Sequence, residues 1–246
     1  MKISIITACY NSSANIEAAL RSVSGQTYSP LEYIVVDGAS TDGTLAILEK
    51  YRGKIYKLVS ERDAGIYDAL NKGFSAATGD VIGLLHSDDV YAGEDVLAKV
   101  AKVFEATGAD AVYGDLAYVR ADGGTLRYWK AGEYDRSTLE RGWMPPHPAL
   151  FVKEAIYDQF GLFDTRFKIA ADYDLMVRLL YRHGVKAVYL PELLVKMKVG
   201  GTSNRSLANI VRKSREDYQI IRKYGLGGLC TLLGKNLSKV SQFFVR

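Results

Sequence analysis

The chain has 246 residues, 48% of them apolar and 24% charged, with a formal net charge of +4. That length buries a sizeable core as one large domain or two small ones, and that composition excludes a disordered or collagen-like chain. No window holds the ~18 uninterrupted apolar residues of a membrane-spanning helix, and the start lacks the long apolar run of a secretory signal.

Cys9 and Cys230 lie far apart and offer neither a disulfide framework nor zinc spacing, so a reducing cytoplasm is the simplest home. The charge is unevenly spread. From Arg205 to the end, nine Lys/Arg stand against Glu216 and Asp217, a net +7 that leaves −3 on residues 1–204. Such asymmetry points to a surface partner for the tail, anionic lipid or nucleic acid.

In chain order, Ile3–Thr7 reads as a strand, and Ile16, Ala19, Leu20 and Val23 recur at helical spacing. Tyr33–Val36 is a β-branched run ended by Asp37-Gly38; Leu45–Lys50 reads as a helix and Ile55–Ser60 as a strand. A helix follows over Ile66–Ala77, then a strand over Val81–Leu85 that stops at His86-Ser87-Asp88-Asp89. The second half begins with strand-like Ala111–Asp115 and a possible hairpin over Leu116–Trp129, turning at Asp122-Gly123-Gly124. Residues 130–147 read as loop, Asp172–Tyr181 as helix, and Val185–Leu190 as a last strand before Pro191. Strands alternating with helices predict a mostly parallel, doubly wound sheet, whose ligands sit beyond the carboxyl ends of its strands.

Four acidic clusters fall at such ends. Asp37 could accept hydrogen bonds from a ribose or base, whereas Ser40–Thr44 is equally a turn that caps the next helix. Asp68, Asn71 and Lys72 lie on a short helix bracketed by Gly65 and Gly73, suited to a phosphate or simply to solvent. Asp88-Asp89 follow a hydrophobic strand, where paired carboxylates are costly without a counter-charge. A hard divalent cation held by carboxylate and phosphate oxygens removes that cost; an N-cap for a following helix is the plainer alternative. Asp172 and Asp174 fall in a helix's first turn, where the dipole alone favours them. His147 sits in the rigid Pro145-Pro146-His147-Pro148 loop, where a lone histidine is usually structural.

Together these clusters say more. Ser4–Asn11, Gln26-Thr27-Tyr28, Glu32–Thr44, Gly65–Gly73, Ser87-Asp88-Asp89 and Ala171-Asp172, in this order, resemble the family 2 glycosyltransferases over roughly residues 1–200. Within that family the chain looks most like bacterial enzymes that build surface or exopolysaccharides. The resemblance implies an α/β GT-A fold: a Rossmann-like, mostly parallel sheet flanked by helices, here a domain over 1–204 with a basic amphipathic helical tail over 205–246. It implies an inverting transfer from a nucleotide diphosphate-sugar, a UDP-sugar foremost, to a hydroxyl of a saccharide or lipid-linked saccharide, at or near the cytoplasmic membrane face. Residue by residue, Thr7 and Tyr10 would line the nucleotide pocket, Asp37 would hold base or ribose, and Glu61 would pass the base. Asp89 would bind Mn²⁺ or Mg²⁺, Asp88 would contact ribose or metal-bound water, and Asp172 would be the catalytic base. Ser87 replaces a carboxylate seen in many members. Leu70 stands where many carry an arginine to the diphosphate, a charge that Lys72 or Arg62 would have to supply. His147 and Trp143 would shape the acceptor side. No nucleic acid partner is implied, and the oligomeric state is open.

A nicotinamide dehydrogenase would need glycines after the first strand, where Thr7–Ser13 has none. A glycoside hydrolase would use paired carboxylates without a nucleotide site, and a non-catalytic module would not need both Asp89 and Asp172. In the tail, Ile210, Val211, Ile220, Ile221 and the leucines 226–237 run among basic residues. That pattern fits either an anionic membrane surface or packing on protein.

Overall fold

A computed structural model describes residues 1–199 and 207–241, with side chains over 1–199 and 208–236. Gly200 and Arg205, and the side chains of Leu237, Lys239, Val240 and Arg246, which the tail reading used, lie outside the described parts.

The strands are β1 (Ile3–Cys9), β2 (Leu31–Asp37), β3 (Lys57–Ser60), β4 (Val81–Leu84), β5 (Asp89–Tyr91), β6 (Ala111–Val119), β7 (Thr125–Trp129), β8 (Leu150–Lys153) and β9 (Ala187–Lys198). They form one sheet in the order β3-β2-β1-β4-β8-β6-β9-β5, with β7 paired to β6. The four strands from β3 to β4 run parallel, which brings the carboxyl ends at Cys9, Asp37, Ser60 and Leu84 to one edge. β8 joins them antiparallel to β6, and β6 runs parallel to β9.

The helices are α1 (Ile16–Ser24), α2 (Thr44–Lys50), α3 (Ile66–Ala76), α4 (Val96–Thr107), α5 (Arg136–Glu140), α6 (Glu154–Phe160), α7 (Ala171–Met176), α8 (Leu207–Tyr224) and α9 (Leu229–Ser241). β1 and β2 are buried nearly throughout because helices cover both faces, so they read as continuous apolar runs. Ile5 faces a core with α1 and α4; its neighbour Ile6 faces the opposite core with α3, α7 and α8. The expected α/β fold with flanking helices and a helical C-terminal region is what the chain adopts.

One alternative falls and one expectation is corrected. Asp89 caps no helix: it opens β5, which pairs antiparallel with β9 through Asp89 and Met197. The last strand does not stop before Pro191. β9 runs on to Lys198, and its pairing with β6 shifts register between Tyr113 and Asp115, which lets an exposed proline pass without a ladder hydrogen bond. β8 and α4, which drew no strand or helix assignment from the sequence, complete the body. The helix read as Asp172–Tyr181 is α7 followed by a π turn over Val177–Arg182.

Candidate active site

The carboxyl edge gathers the acidic clusters. Asp37 ends β2 fully buried. Its Oδ1 accepts the Ser40 hydroxyl at 2.5 Å and the Cys9 thiol at 3.8 Å; its Oδ2 accepts the Ser60 hydroxyl at 2.7 Å and the Ser40 N–H at 3.1 Å. With both oxygens engaged, Asp37 braces the ends of β1, β2 and β3 and does not project into a pocket. Thr7 is also fully buried. Its hydroxyl donates to Leu85 O at 2.7 Å and lies 3.1 Å from the Tyr33 hydroxyl. The pocket-lining position expected for Thr7 is therefore corrected: its side chain is a tie inside the sheet.

Tyr10 is 63% exposed beside Gly38. A Cβ at Gly38 would stand 3.3 Å from Tyr10 Cδ2 and 2.5 Å from Asp63 Oδ2. The absence of a side chain at residue 38 is what lets the Asp63 carboxylate lie over this backbone. Asp63 holds that loop by accepting the Gly65 N–H at 2.9 Å.

Glu61 and Lys72 are brought together, with Nζ 2.8 Å from Oε1. Lys72 also donates to Arg62 O at 2.9 Å and lies 3.8 Å from Asp68, so its charge is shared among neighbours on its own side of the pocket. Leu70, on α3, is buried in the core, so the position where many family members carry an arginine holds a packed leucine here.

Across the edge, Asp89 is fully buried. Its Oδ1 accepts the Lys198 N–H at 3.3 Å, while Oδ2 has no hydrogen-bond partner. Burial, then the charge of Asp88, pushes the Asp89 carboxyl well above its ordinary range. An orphaned buried carboxylate oxygen beside a second carboxylate suits a hard divalent cation. Among the described residues no three His, Cys, Asp or Glu side chains converge as a full ligand set. Such an ion would take its remaining ligands from phosphate and water. The Ser87 hydroxyl lies 3.1 Å from that of Ser12, which links this turn to the loop after β1.

Asp172 lies in the first turn of α7 with a half-buried partner, His147, whose Nδ1 is 3.1 Å from Oδ2. His147 Nε2 is in turn 3.0 Å from His86 Nε2, immediately after β4. Tyr67, on α3, donates to Ile169 O at 2.8 Å and lies 3.3 Å from Asp172 Oδ1. Burial raises the Asp172 carboxyl, but the charge and hydrogen bond of His147 and the charges of Lys235 and Lys213 outweigh it and hold it below the usual range. Burial and the nearby His147 charge push His86 down to about 3. Tyr118, on β6, lies within electrostatic reach of both Asp89 and Asp172. Asp174, two residues on, points the other way: Lys223 and Tyr224 of α8 donate to its Oδ1 at 2.8 Å and 3.1 Å.

The helices after residue 206 pack on this body. Glu216 accepts the N–H groups of Lys168, Ile169 and Ala170 at 3.1, 2.9 and 2.9 Å. Lys235 donates to Asp217 at 2.6 Å, both buried, and its Nζ stands 3.2 Å above the Tyr173 ring. Gly142 and Gly234 have no room for a Cβ, since each would strike backbone of the other segment. Trp143 packs against Tyr113 and Tyr134 and donates to Ala131 O at 2.7 Å.

Tyr67, Asp63, His86 and Glu216 drew no site role from the sequence. His86 stood in the motif that ends the fourth strand, and Glu216 as one of two acids in a basic tail.

Comparisons with known proteins give the family and the fold. The model of the glycosyl transferase family 2 matches residues 4–169. A PGL/p-HBAD biosynthesis glycosyltransferase of Mycobacterium bovis is 32% identical over 206 residues, 82% of this chain and 78% of the relative. An uncharacterized glycosyltransferase of Nostoc is 33% identical over 230 residues, 88% of this chain and 70% of the relative. Among solved structures, S. aureus TarS 1-349 in complex with UDP-GlcNAc superposes with a TM-score of 0.71 at 20% identity, covering 92% of this chain and 66% of that one. The mannosyltransferase PcManGT from Pyrobaculum calidifontis, in complex with GDP-Man and Mn²⁺, gives 0.67 at 21% identity, covering 95% and 68%. At these identities the two structures speak to the fold.

Proposed function

The chain belongs to the family 2 glycosyltransferases, and from that premise we propose that it is an inverting, metal-dependent enzyme of bacterial surface polysaccharide synthesis. The hydrolase, dehydrogenase and binding-module readings give way to a glycosyltransferase. The donor is a nucleotide diphosphate-sugar, with a UDP-sugar first, and the acceptor is a hydroxyl of a saccharide or lipid-linked saccharide. Neighbouring structures holding UDP-GlcNAc and GDP-Man support that class of donor.

One observation carries the reading. Asp172 and Asp89 both lie within electrostatic reach of Tyr118 on β6, the first paired with His147 and held below the ordinary carboxylate range, the second buried with an unpartnered oxygen. Asp89 and Asp88 would hold the metal ion and its water or ribose neighbour; when bound, that ion stabilises negative charge growing on the leaving diphosphate. Tyr10 and Asp63 flank the place for the nucleoside, over a floor braced by Asp37. Asp172 accepts the proton of the acceptor hydroxyl as its oxygen attacks the anomeric carbon. A single displacement inverts that centre, so one base suffices.

Two measurements test this. Thermal shift with UDP and GDP, each with and without Mn²⁺, is expected to show stabilisation that needs nucleotide and metal together. Transfer by Asp172→Asn is expected to vanish with nucleotide binding intact; a variant that still transfers would overturn the base assignment.

No described helix is long and apolar enough to cross a membrane. On α8, Val211, Arg215, Tyr218 and Arg222 are exposed and share a face at helical spacing. That face, apolar and basic together, supports docking on anionic lipid at the cytoplasmic membrane surface. Co-sedimentation with phosphatidylglycerol vesicles should fall when Arg215 and Arg222 are changed to Glu; undiminished pelleting would sink the idea.

A further inference from the structure

We propose that His147 is the positioning residue of the catalytic base. Its Nδ1–H fixes Asp172 Oδ2, His86 fixes the imidazole from behind, and Asp172 Oδ1 is thereby left as the atom that takes the acceptor's proton. The inference rests on the reading of Asp172 as the base.

Three observations carry it. First, the two hydrogen-bond lengths, 3.1 Å from His147 Nδ1 to Asp172 and 3.0 Å from His147 Nε2 to His86 Nε2, engage both ring nitrogens of His147. The row from His86 through His147 to Asp172 is satisfied in either state of His147. As neutral imidazole its Nε2 accepts from His86; as imidazolium it donates to a neutral His86. Second, the backbone under His147 is preset. Pro146 and Pro148 flank it, Pro146 has φ of −65°, and Ala149 N–H closes the turn on Pro146 O at 3.0 Å. The imidazole therefore has little freedom to leave the carboxylate. Third, the two oxygens of Asp172 are not equivalent. Tyr67 has one O–H, and its shorter bond, 2.8 Å, goes to Ile169 O, which leaves Asp172 Oδ1 the longer 3.3 Å contact. Oδ2 carries the strong donor and Oδ1 keeps its acceptor capacity.

Neither side chain is sealed off: His147 is 27% exposed and Asp172 18%, so an acceptor hydroxyl can reach them. In the step, the acceptor oxygen bonds to the anomeric carbon, the bond from that carbon to the diphosphate oxygen breaks with its electron pair going to the diphosphate, and the acceptor proton moves to Asp172 Oδ1. His147 gains and loses no proton. It keeps the carboxylate aimed, and a misaim of an ångström costs a reaction of this kind about a hundredfold.

The test uses three full-length variants, with single-turnover transfer, donor KM and Mn²⁺–UDP affinity read for each. Asparagine places an amide N–H close to where Nδ1–H stood. Glutamine reaches toward His86 and leaves Asp172 unheld. His147→Ala should lower the transfer rate about 10- to 100-fold with KM and UDP affinity changed less than about twofold. His147→Asn should recover most of that loss, and His147→Gln should not. A rate for His147→Ala within about threefold of wild type would overturn the proposal, as would equal rates for the Asn and Gln variants. If His147→Ala fails to fold, the Asn and Gln pair decides alone. Transfer by Asp172→Asn would instead sink the base assignment itself. An inert Asp172→Asn beside a fully active His147→Ala would sink only the role of His147.

Discussion

Glu216 accepts the backbone N–H of Ala170 at 2.9 Å, two residues ahead of Asp172. The same carboxylate takes the N–H groups of Lys168 and Ile169, so the approach to α7 has its free donors closed by α8. The contact makes α8 a structural part of the site, across the division drawn at residue 204.

Removing Glu216 should therefore be felt in catalysis and stability together. Glu216→Ala takes the partner from the buried Ala170 N–H and from the partly buried Lys168 and Ile169 N–H groups, at ~1–3 kcal/mol for each that water does not reach. The expected outcome is a lower melting temperature and a lower transfer rate. Glu216→Gln keeps one acceptor oxygen and should lose less of both. Calorimetry and transfer assays on the same preparations check this; a stable Glu216→Ala enzyme with full rate would refute it.

Gly38 controls the nucleoside side. A methyl at this position would meet Asp63 Oδ2, the far end of a flexible side chain, so Gly38→Ala should fold normally and push Asp63 aside. Donor KM should rise several-fold while the maximal rate stays near wild type. Asp63→Asn should show the same pattern without the steric change. An unchanged KM in both variants would remove Asp63 from donor recognition.

Asp89 yields a prediction of two opposite signs. Its buried Oδ2 has no partner, and an unpaired buried charge costs stability. Asp89→Asn should thus melt higher than wild type in chelator, yet lose the stabilisation that Mn²⁺ and nucleotide confer and lose transfer. A metal-dependent thermal shift that survived the substitution would place the ion elsewhere.

How much of this was legible in the sequence depends on distance along the chain. The buried strands announce themselves as apolar runs, because helices on both faces leave them no polar side. The carboxylates at strand ends stand out for the same reason. What the sequence does not show is who meets them. β5 has only three residues and exists because β9 pairs with it, so a cap stood locally as the alternative to a metal ligand at Asp89. Pro191 reads as a stop because the register shift that accommodates it lies partly on β6. Thr7 and Asp37 look like ligands by position, and only the Tyr33, Leu85, Ser40 and Ser60 contacts show that their polar atoms are already used. The pairing of His147 with Asp172 joins a loop to a helix with no shared period, and no pattern marks it.

The pH dependence follows from the partners of Asp172. Burial alone would raise its carboxyl, but His147, Lys235 and Lys213 hold it below the ordinary carboxylate range. A depressed folded value means that the folded state binds fewer protons than the unfolded chain as pH falls through that range. The stabilisation is therefore present above the unfolded value of about 3.9 and is lost as pH drops through the lowered folded value. For catalysis, the same sign keeps Asp172 ionised throughout the mildly acidic range, so protonation of the base should impose no acid limb there. His147→Asn removes the positive charge that imidazolium can supply but keeps a donor, so its carboxyl should rise toward the ordinary range. The transfer rate of that variant, followed from pH 7 downward, should begin to fall at a higher pH than the Asp172-controlled loss in wild type. An acid limb that did not move, or that moved downward, would show that His147 does not set the ionisation of Asp172.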